Sequence, residues 1–363
     1  MGTVSLVGDV MFRQPFARST DAATRAFHAA LEAMRESDLV VANLEMCLSR
    51  RGAPVPKRTT LRQDPDLIRD VQAMGVHAVT LANNHMYDYG PDALLDTVEA
   101  CRAAGLAYCG AGADLEAALA PALLRAGEVP VAVLNVATTL PIESAARPGK
   151  PGIAPIEVTY AFELDINLMV EQPGTVPVVH TEVVPKDQAA VCDRVAALRG
   201  AGHTVLVAIH WGAAERWMSP LRGWTGPNQS SLKPLGARYL ADYQRPLGHA
   251  LVDAGAELVF GHHSHALAPV EVYRGKAIVH SAGNFLFENP TPVLMAPESV
   301  IVQAHLGARP GLVVVPVVLN RRGFPELATG DEAQRVIGWL GELSREFGTV
   351  FVSEGDRARR VLA

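Results

Sequence analysis

The chain has 363 residues, of which 49% are hydrophobic and 19% charged, and a formal net charge of −6. That apolar content builds a sizeable core and excludes wholesale disorder. The acidic balance, with no Lys/Arg block, excludes sequence-independent nucleic-acid binding.

Val4–Gly8 reads as a first strand and ends in Gly8-Asp9. Residues 21–36 carry helical spacing through Ala26, Ala30, Leu31 and Met34, and Asp38–Ala42 is a second short strand followed directly by Asn43-Leu44-Glu45. Pro65 fits the first turn of a helix containing Leu67, Ile68, Val71 and Met74. The stretch Ala78–Gly90 begins as a buried strand and breaks into a polar loop with Asn83, Asn84, His85 and Asp88; a helix over 91–104 follows. This strand–helix alternation indicates an α/β fold with a mostly parallel or mixed sheet.

Strand-like runs follow at Ala122–Leu124 and Val129–Val136, then a Pro/Gly-rich loop over 139–157. Residues 187–200 read as a helix, and Thr204–Ile209 as a buried strand ending at His210-Trp211-Gly212. A second long loop, 215–245, holds Trp217, Trp224, Tyr239 and Tyr243. Beyond it come a helix at Leu247–Ala254, a strand at Glu257–Gly261 ending in His262-His263-Ser264-His265, and a hairpin around Arg274-Gly275-Lys276. Strands at Val300–Ala304 and Leu312–Leu319 and a helix over 331–347 finish the chain. No linker or repeat divides it, so residues 1–363 are expected to form one domain. Cys47, Cys101, Cys109 and Cys192 are scattered without a CxxC pair, which suits free thiols. Neither a leader nor a long apolar segment stands out, and the expectation is a cytoplasmic chain with no membrane span.

Five apolar runs end in groups of metal-ligand type: Asp9; Asn43 and Glu45; Asn84, His85 and Asp88; His210; and His262, His263 and His265. Open α/β sheets bind ligands at the carboxyl ends of their strands. Carboxylates, amide oxygens and imidazoles together suit Mn, Fe, Zn, Mg or Ca. Three imidazoles within four residues after a buried strand point to a shared ligand.

The ordered motifs Gly8-Asp9-Val-Met, Asn43-Leu-Glu45, Leu81-Ala-Asn-Asn-His85 with Asp88-Tyr-Gly90, His210-Trp-Gly212, Gly261-His-His-Ser-His265 and Ser281-Ala-Gly-Asn-Phe285 resemble the CapA-like branch of the calcineurin-like metallophosphoesterase superfamily, named for poly-γ-glutamate capsule biosynthesis. The resemblance implies a four-layer α/β/β/α sandwich. It places Asp9, Glu45, Asn84, His210, His263 and His265 on metal-ligand positions for one or two divalent ions. His85 falls on the histidine that acts on the leaving group. Two departures stand out. Met11 occupies the place of a histidine ligand, and a thioether suits hard metals poorly; Glu45 replaces the usual bridging Asp.

The resemblance implies a soluble, metal-dependent hydrolase or transferase acting on an amide or ester bond of a peptide-like or polyglutamate-like substrate. Two alternatives stand beside it. One is a metal-dependent peptide Cα epimerase, for which His85 with Asp88, and His263 or His265 with Asp9, would supply two acid/base pairs. The other is a non-catalytic metal-binding scaffold. The catalytic candidates are thus His85, Asp88, Asp9 and His265. Lys57 and Arg58 are candidates to meet a substrate carboxylate, Trp217 to cover the substrate, and Asn284 of the Ser281–Phe285 motif to line its site.

Overall fold

The computed structural model describes residues 1–172, 178–212, 240–288, 296–308 and 310–362. Its first strand, Gly2–Met11, lies at the centre of a ten-stranded sheet. It pairs in parallel with Leu39–Leu44 and Asn284–Phe287 and antiparallel with Glu298–Leu306. Ala78–Thr80 and Ala107–Cys109 extend the parallel side, and Gly311–Leu319 extends the antiparallel side. A second, six-stranded sheet is built around Thr204–His210, which runs parallel to Val129–Ala137 and to Ala256–His262.

Alternation along these strands explains the layering. Val4 and Leu6 of the first sheet share one buried cluster with Val131, Val133, Leu206, Leu258 and Phe260 of the second, so the two sheets pack face to face. The alternate residues Val7, Val40, Val79, Val207 and Val259 belong to another buried cluster with residues of the flanking helices, among them Phe27, Leu31, Leu94, Val195, Leu247 and Leu251. The result is the four-layer α/β/β/α sandwich of the calcineurin-like fold. The helix Gly330–Ser344 closes one end of the intersheet core through Val336, Ile337 and Leu340 and touches strands of both sheets.

Local chemistry sets the element ends. The helix expected over 21–36 spans Arg25–Met34, because Thr24 accepts a hydrogen bond from Phe27 N–H at 3.1 Å and caps it. The helix after the Asn84–Asp88 loop starts at Gly90, whose φ of +78° makes the turn, with Pro91 in its first turn. Residues 139–157 run mostly without regular structure; Gly152–Ile153 pairs with Ala111–Gly112. The second long loop lies largely in residues 213–239, outside the described residues. A hairpin, Val158–Glu163 with Val178–Val183, was not expected. Its first strand is exposed through most of its length, so no burial periodicity marks it.

Parallel pairing sets the geometry that matters for function. Asp9 is in register with Asn43 and Asn284, Asn43 with Thr80, and His210 with His262. The polar strand ends therefore emerge on one edge of both sheets.

Candidate metal centre

Asp9 lies at a bulge of the first strand, where its register with the neighbouring strands shifts. The bulge needs Gly8: a Cβ there would stand 1.8 Å from the Gly283 carbonyl oxygen. Asp9 Oδ1 accepts a hydrogen bond from Asn43 Nδ2 at 2.7 Å, and its Oδ2 lies 3.3 Å from His265 Nδ1. Asn43 is held in turn by Thr80 Oγ1 and Asn83 Nδ2, both at 3.2 Å. Asn43 and Asn83 orient groups at the site rather than facing into it.

Glu45 follows the second strand and is completely buried. Its Oε1 lies 3.5 Å from His210 Nε2, 3.7 Å from His265 Nε2 and 4.0 Å from His85 Nε2. Neither carboxylate oxygen has a hydrogen-bond partner among the described residues. His210 Nε2 is also 2.8 Å from Asn84 Oδ1 and 3.1 Å from His263 Nδ1. Asp9, Glu45, His210, His263 and His265, all buried, thus meet with the half-buried Asn84 in one cluster drawn from both sheets.

Within it, one atom each of Asp9, Glu45 and His265 falls within 4.8 Å of the others. A buried carboxylate without a donor, facing three imidazole nitrogens, fits a divalent cation. Oxygen and nitrogen donors without sulfur suit a hard or borderline ion. Met11 is buried in the core cluster and is no part of this donor set.

The histidine turn is strained. His263 and His265 have φ of +96° and +51°, a region that L-residues rarely occupy. Gly261 permits the approach of the next strand, since a Cβ there would lie 2.1 Å from His280 O. His262 Nε2 lies 3.4 Å from the Val7 carbonyl oxygen. The strand end carrying His210 is anchored twice. Trp211 Nε1 donates to His280 O at 2.9 Å, and Gly212 N–H donates to Tyr243 Oη at 2.7 Å. Tyr243 lies in the segment singled out for its aromatics, but its partners, Thr138 and Gly212, are distant in sequence and left no signal there.

Electrostatics follow from this packing. Burial and the neighbouring Asp9 push the Glu45 carboxyl well above its ordinary range. Burial also opposes the charge on Asp9, but the His265 hydrogen bond and nearby imidazolium charge hold its pKa below the usual carboxylate range. His265, despite burial, is pushed up to about 9 by Glu45 and Asp9. Burial, with His265 beside it, pulls His263 down to about 3, and burial with His263 lowers His210.

His85 stands at the rim. Its Nδ1 is 2.6 Å from Asp88 Oδ2, and burial lowers its pKa despite that carboxylate. The carboxylate that Lys57 meets is Asp88, at 2.6 Å. Arg58 is exposed. Asn284 is buried, with its Oδ1 2.8 Å from His265 Nδ1. Trp217 lies outside the described residues.

Comparison with known proteins agrees with this architecture. The chain is 32% identical over 340 residues to a "probable polyglutamine synthesis accessory protein" of Mycobacterium tuberculosis, covering 90% of this chain and 77% of that protein. It is 26% identical over 334 residues to the capsule biosynthesis protein CapA of Bacillus anthracis, covering 90% and 69%. The PGA biosynthesis protein CapA of Bacillus subtilis is 26% identical over 309 residues, covering 84% and 67%. Residues 3–221 and 236–289, more than half of the chain, match the family described as bacterial capsule synthesis protein PGA_cap, and the chain belongs to that family.

Proposed function

We propose that the chain is a metal-dependent enzyme that hydrolyses or transfers an amide or ester bond of a polyglutamate-like or peptide-like substrate. The observation that carries this reading is Glu45, whose two buried oxygens lack donors while imidazoles surround them. Asp9, Glu45, Asn84, His210, His263 and His265 would hold the divalent ion. When bound, that ion supplies Lewis-acid polarisation of a substrate oxygen or of water.

The chain's own acid/base group in this reading is His85. Asp88 accepts a hydrogen bond from Nδ1–H and so fixes the tautomer, leaving Nε2 directed toward the cluster. From there the ring can receive or deliver a proton at the reacting bond. A holder of metal alone has no use for an oriented His–Asp pair, which favours an enzyme over a scaffold. The relatives' names, which speak of polyglutamine synthesis and PGA biosynthesis, favour a chain of glutamyl units as substrate.

The test incubates the protein with Mn²⁺ and poly-γ-glutamate or glutamyl peptides in deuterated water and follows chain length and mass. Shortened or transferred chains are expected, and His85→Ala is expected to slow their formation by about 10²–10⁴-fold. Deuterium at Cα in intact chains would replace hydrolysis with epimerisation, for which His85–Asp88 and His265–Asp9 are the two pairs available. No change in any substrate would leave the scaffold.

A further inference from the structure

The segment between the paired strands Cys47–Leu48 and Arg62–Gln63 is fastened to the Asn84–Asp88 loop by hydrogen bonds that converge on Asp88 and on Lys57. Val55 N–H donates to the Asp88 carbonyl oxygen at 2.9 Å. Leu61 N–H donates to Asp88 Oδ2 at 2.6 Å, the oxygen that also faces His85 Nδ1 at 2.6 Å. The other oxygen, Oδ1, takes the Lys57 ammonium at 2.6 Å. Lys57 Nζ donates as well to the carbonyl oxygen of Asn84 at 2.5 Å, and lies 3.2 Å from His85 Nδ1.

We infer that Lys57 is a positioning residue for His85. The inference rests on the reading of His85 as the acid/base group. Asp88 is fully buried and Lys57 only 20% exposed, so this pair is shielded from solvent. A buried carboxylate needs partners for its lone pairs. With Lys57 in place, Oδ1 is committed and the plane of the carboxylate is set, which aims Oδ2 at His85. Without it, Oδ1 is bare and, His85 apart, the carboxylate is held by the Leu61 N–H alone, so the ring loses part of what fixes its orientation. The same ammonium holds the backbone of Asn84, so one side chain ties a candidate metal ligand, the histidine and the overlying segment into one unit.

The test compares Lys57→Met, Lys57→Arg, Asp88→Asn and the double variant Lys57→Met/Asp88→Asn. On poly-γ-glutamate with Mn²⁺, Lys57→Met is expected to lower kcat about 10²-fold with KM unchanged. Lys57→Arg should recover part of the loss, and the double variant should be no slower than Asp88→Asn, because both changes act on one interaction. A KM raised with kcat unchanged would overturn the inference and make Lys57 a substrate contact. A second readout needs no turnover and so separates failure of this inference from failure of the proposed function. In protein with ¹⁵N-labelled histidine, His85, assigned by its loss in His85→Ala, should show one Nδ1–H tautomer in the wild type. In Lys57→Met it should show mixed tautomers, with Mn²⁺ affinity little changed. One unaltered tautomer in Lys57→Met would overturn the inference even if no substrate is turned over.

Discussion

Glu45 is buried with neither oxygen hydrogen-bonded, beside Asp9, an arrangement that opposes folding unless a cation sits there. Glu45→Gln should therefore act in opposite directions with and without metal. In chelator, the variant should be more stable than the wild type by roughly 1–3 kcal/mol, as a costly buried carboxyl is removed. With Mn²⁺ its melting temperature should rise far less than that of the wild type. Equal stability of the two proteins in chelator would contradict this account. The protons of the cluster give a second expectation. His265 sits at about 9 without metal, and imidazole must be neutral to ligate. Below that value Mn²⁺ has to displace its proton, so affinity should rise with pH toward about 9 and weaken as pH falls. Calorimetry in buffers of different ionisation enthalpy should detect proton release at pH 7; release absent at pH 7 would refute the assignment.

Single elements show which features can be read from a sequence. Short apolar runs ending in Asp9, Glu45, Asn84, His210 and His263 were legible because a fully buried strand and an abrupt polar end are both local signals. Lys57 was legible as a cation but not as the partner of Asp88, 31 residues away in a different loop. The hairpin Val158–Val183 was missed: its first strand is exposed and shows no burial alternation, and only the second alternates. Gly8 belongs to a third kind: its role depends on Gly283, brought beside it by parallel pairing with Asn284–Phe287. Gly8→Ala should push these two strands apart at the Asp9 bulge, at a cost above about 2 kcal/mol. It should also weaken Mn²⁺ binding, because Asp9 and His265 shift with the bulge. Denaturant unfolding and metal titration of the same variant check both effects. The hairpin Val270–Tyr273/Lys276–Val279 carries a different device. Burial would raise the Glu271 carboxyl, but His280, His249 and Arg245 draw it down to about 2. A depressed carboxyl stabilises the fold above its ordinary value of 4.5 and loses that contribution as pH falls toward about 2. Glu271→Gln should flatten the acid limb of the stability profile between those values.

On the scale of the whole molecule, the candidate ligands come from two sheets. Asp9, Glu45 and Asn84 lie in or just after strands of the ten-stranded sheet, and His210, His263 and His265 at or just after the ends of strands of the six-stranded one. The intersheet core is apolar, with Val4, Leu6, Val133, Leu206 and Phe260 among its members. At its polar edge the joint depends on carboxylates and imidazoles that balance one another poorly without a cation. A bound ion would therefore act as a clamp between the layers. Any ligand that binds only the native state stabilises it, by about 2.7 kcal/mol when present at 100 times its Kd. Chelation should lower the melting temperature, and its effect should not be uniform. Amides at the carboxyl ends of Leu39–Leu44, Thr204–His210 and Ala256–His262 should lose hydrogen-exchange protection. Those of Gly311–Leu319, on the antiparallel side of the larger sheet, should keep theirs. Protection lost from one sheet alone would place the ion on that sheet and refute a clamp between the two. A melting temperature indifferent to chelator would remove the ion altogether.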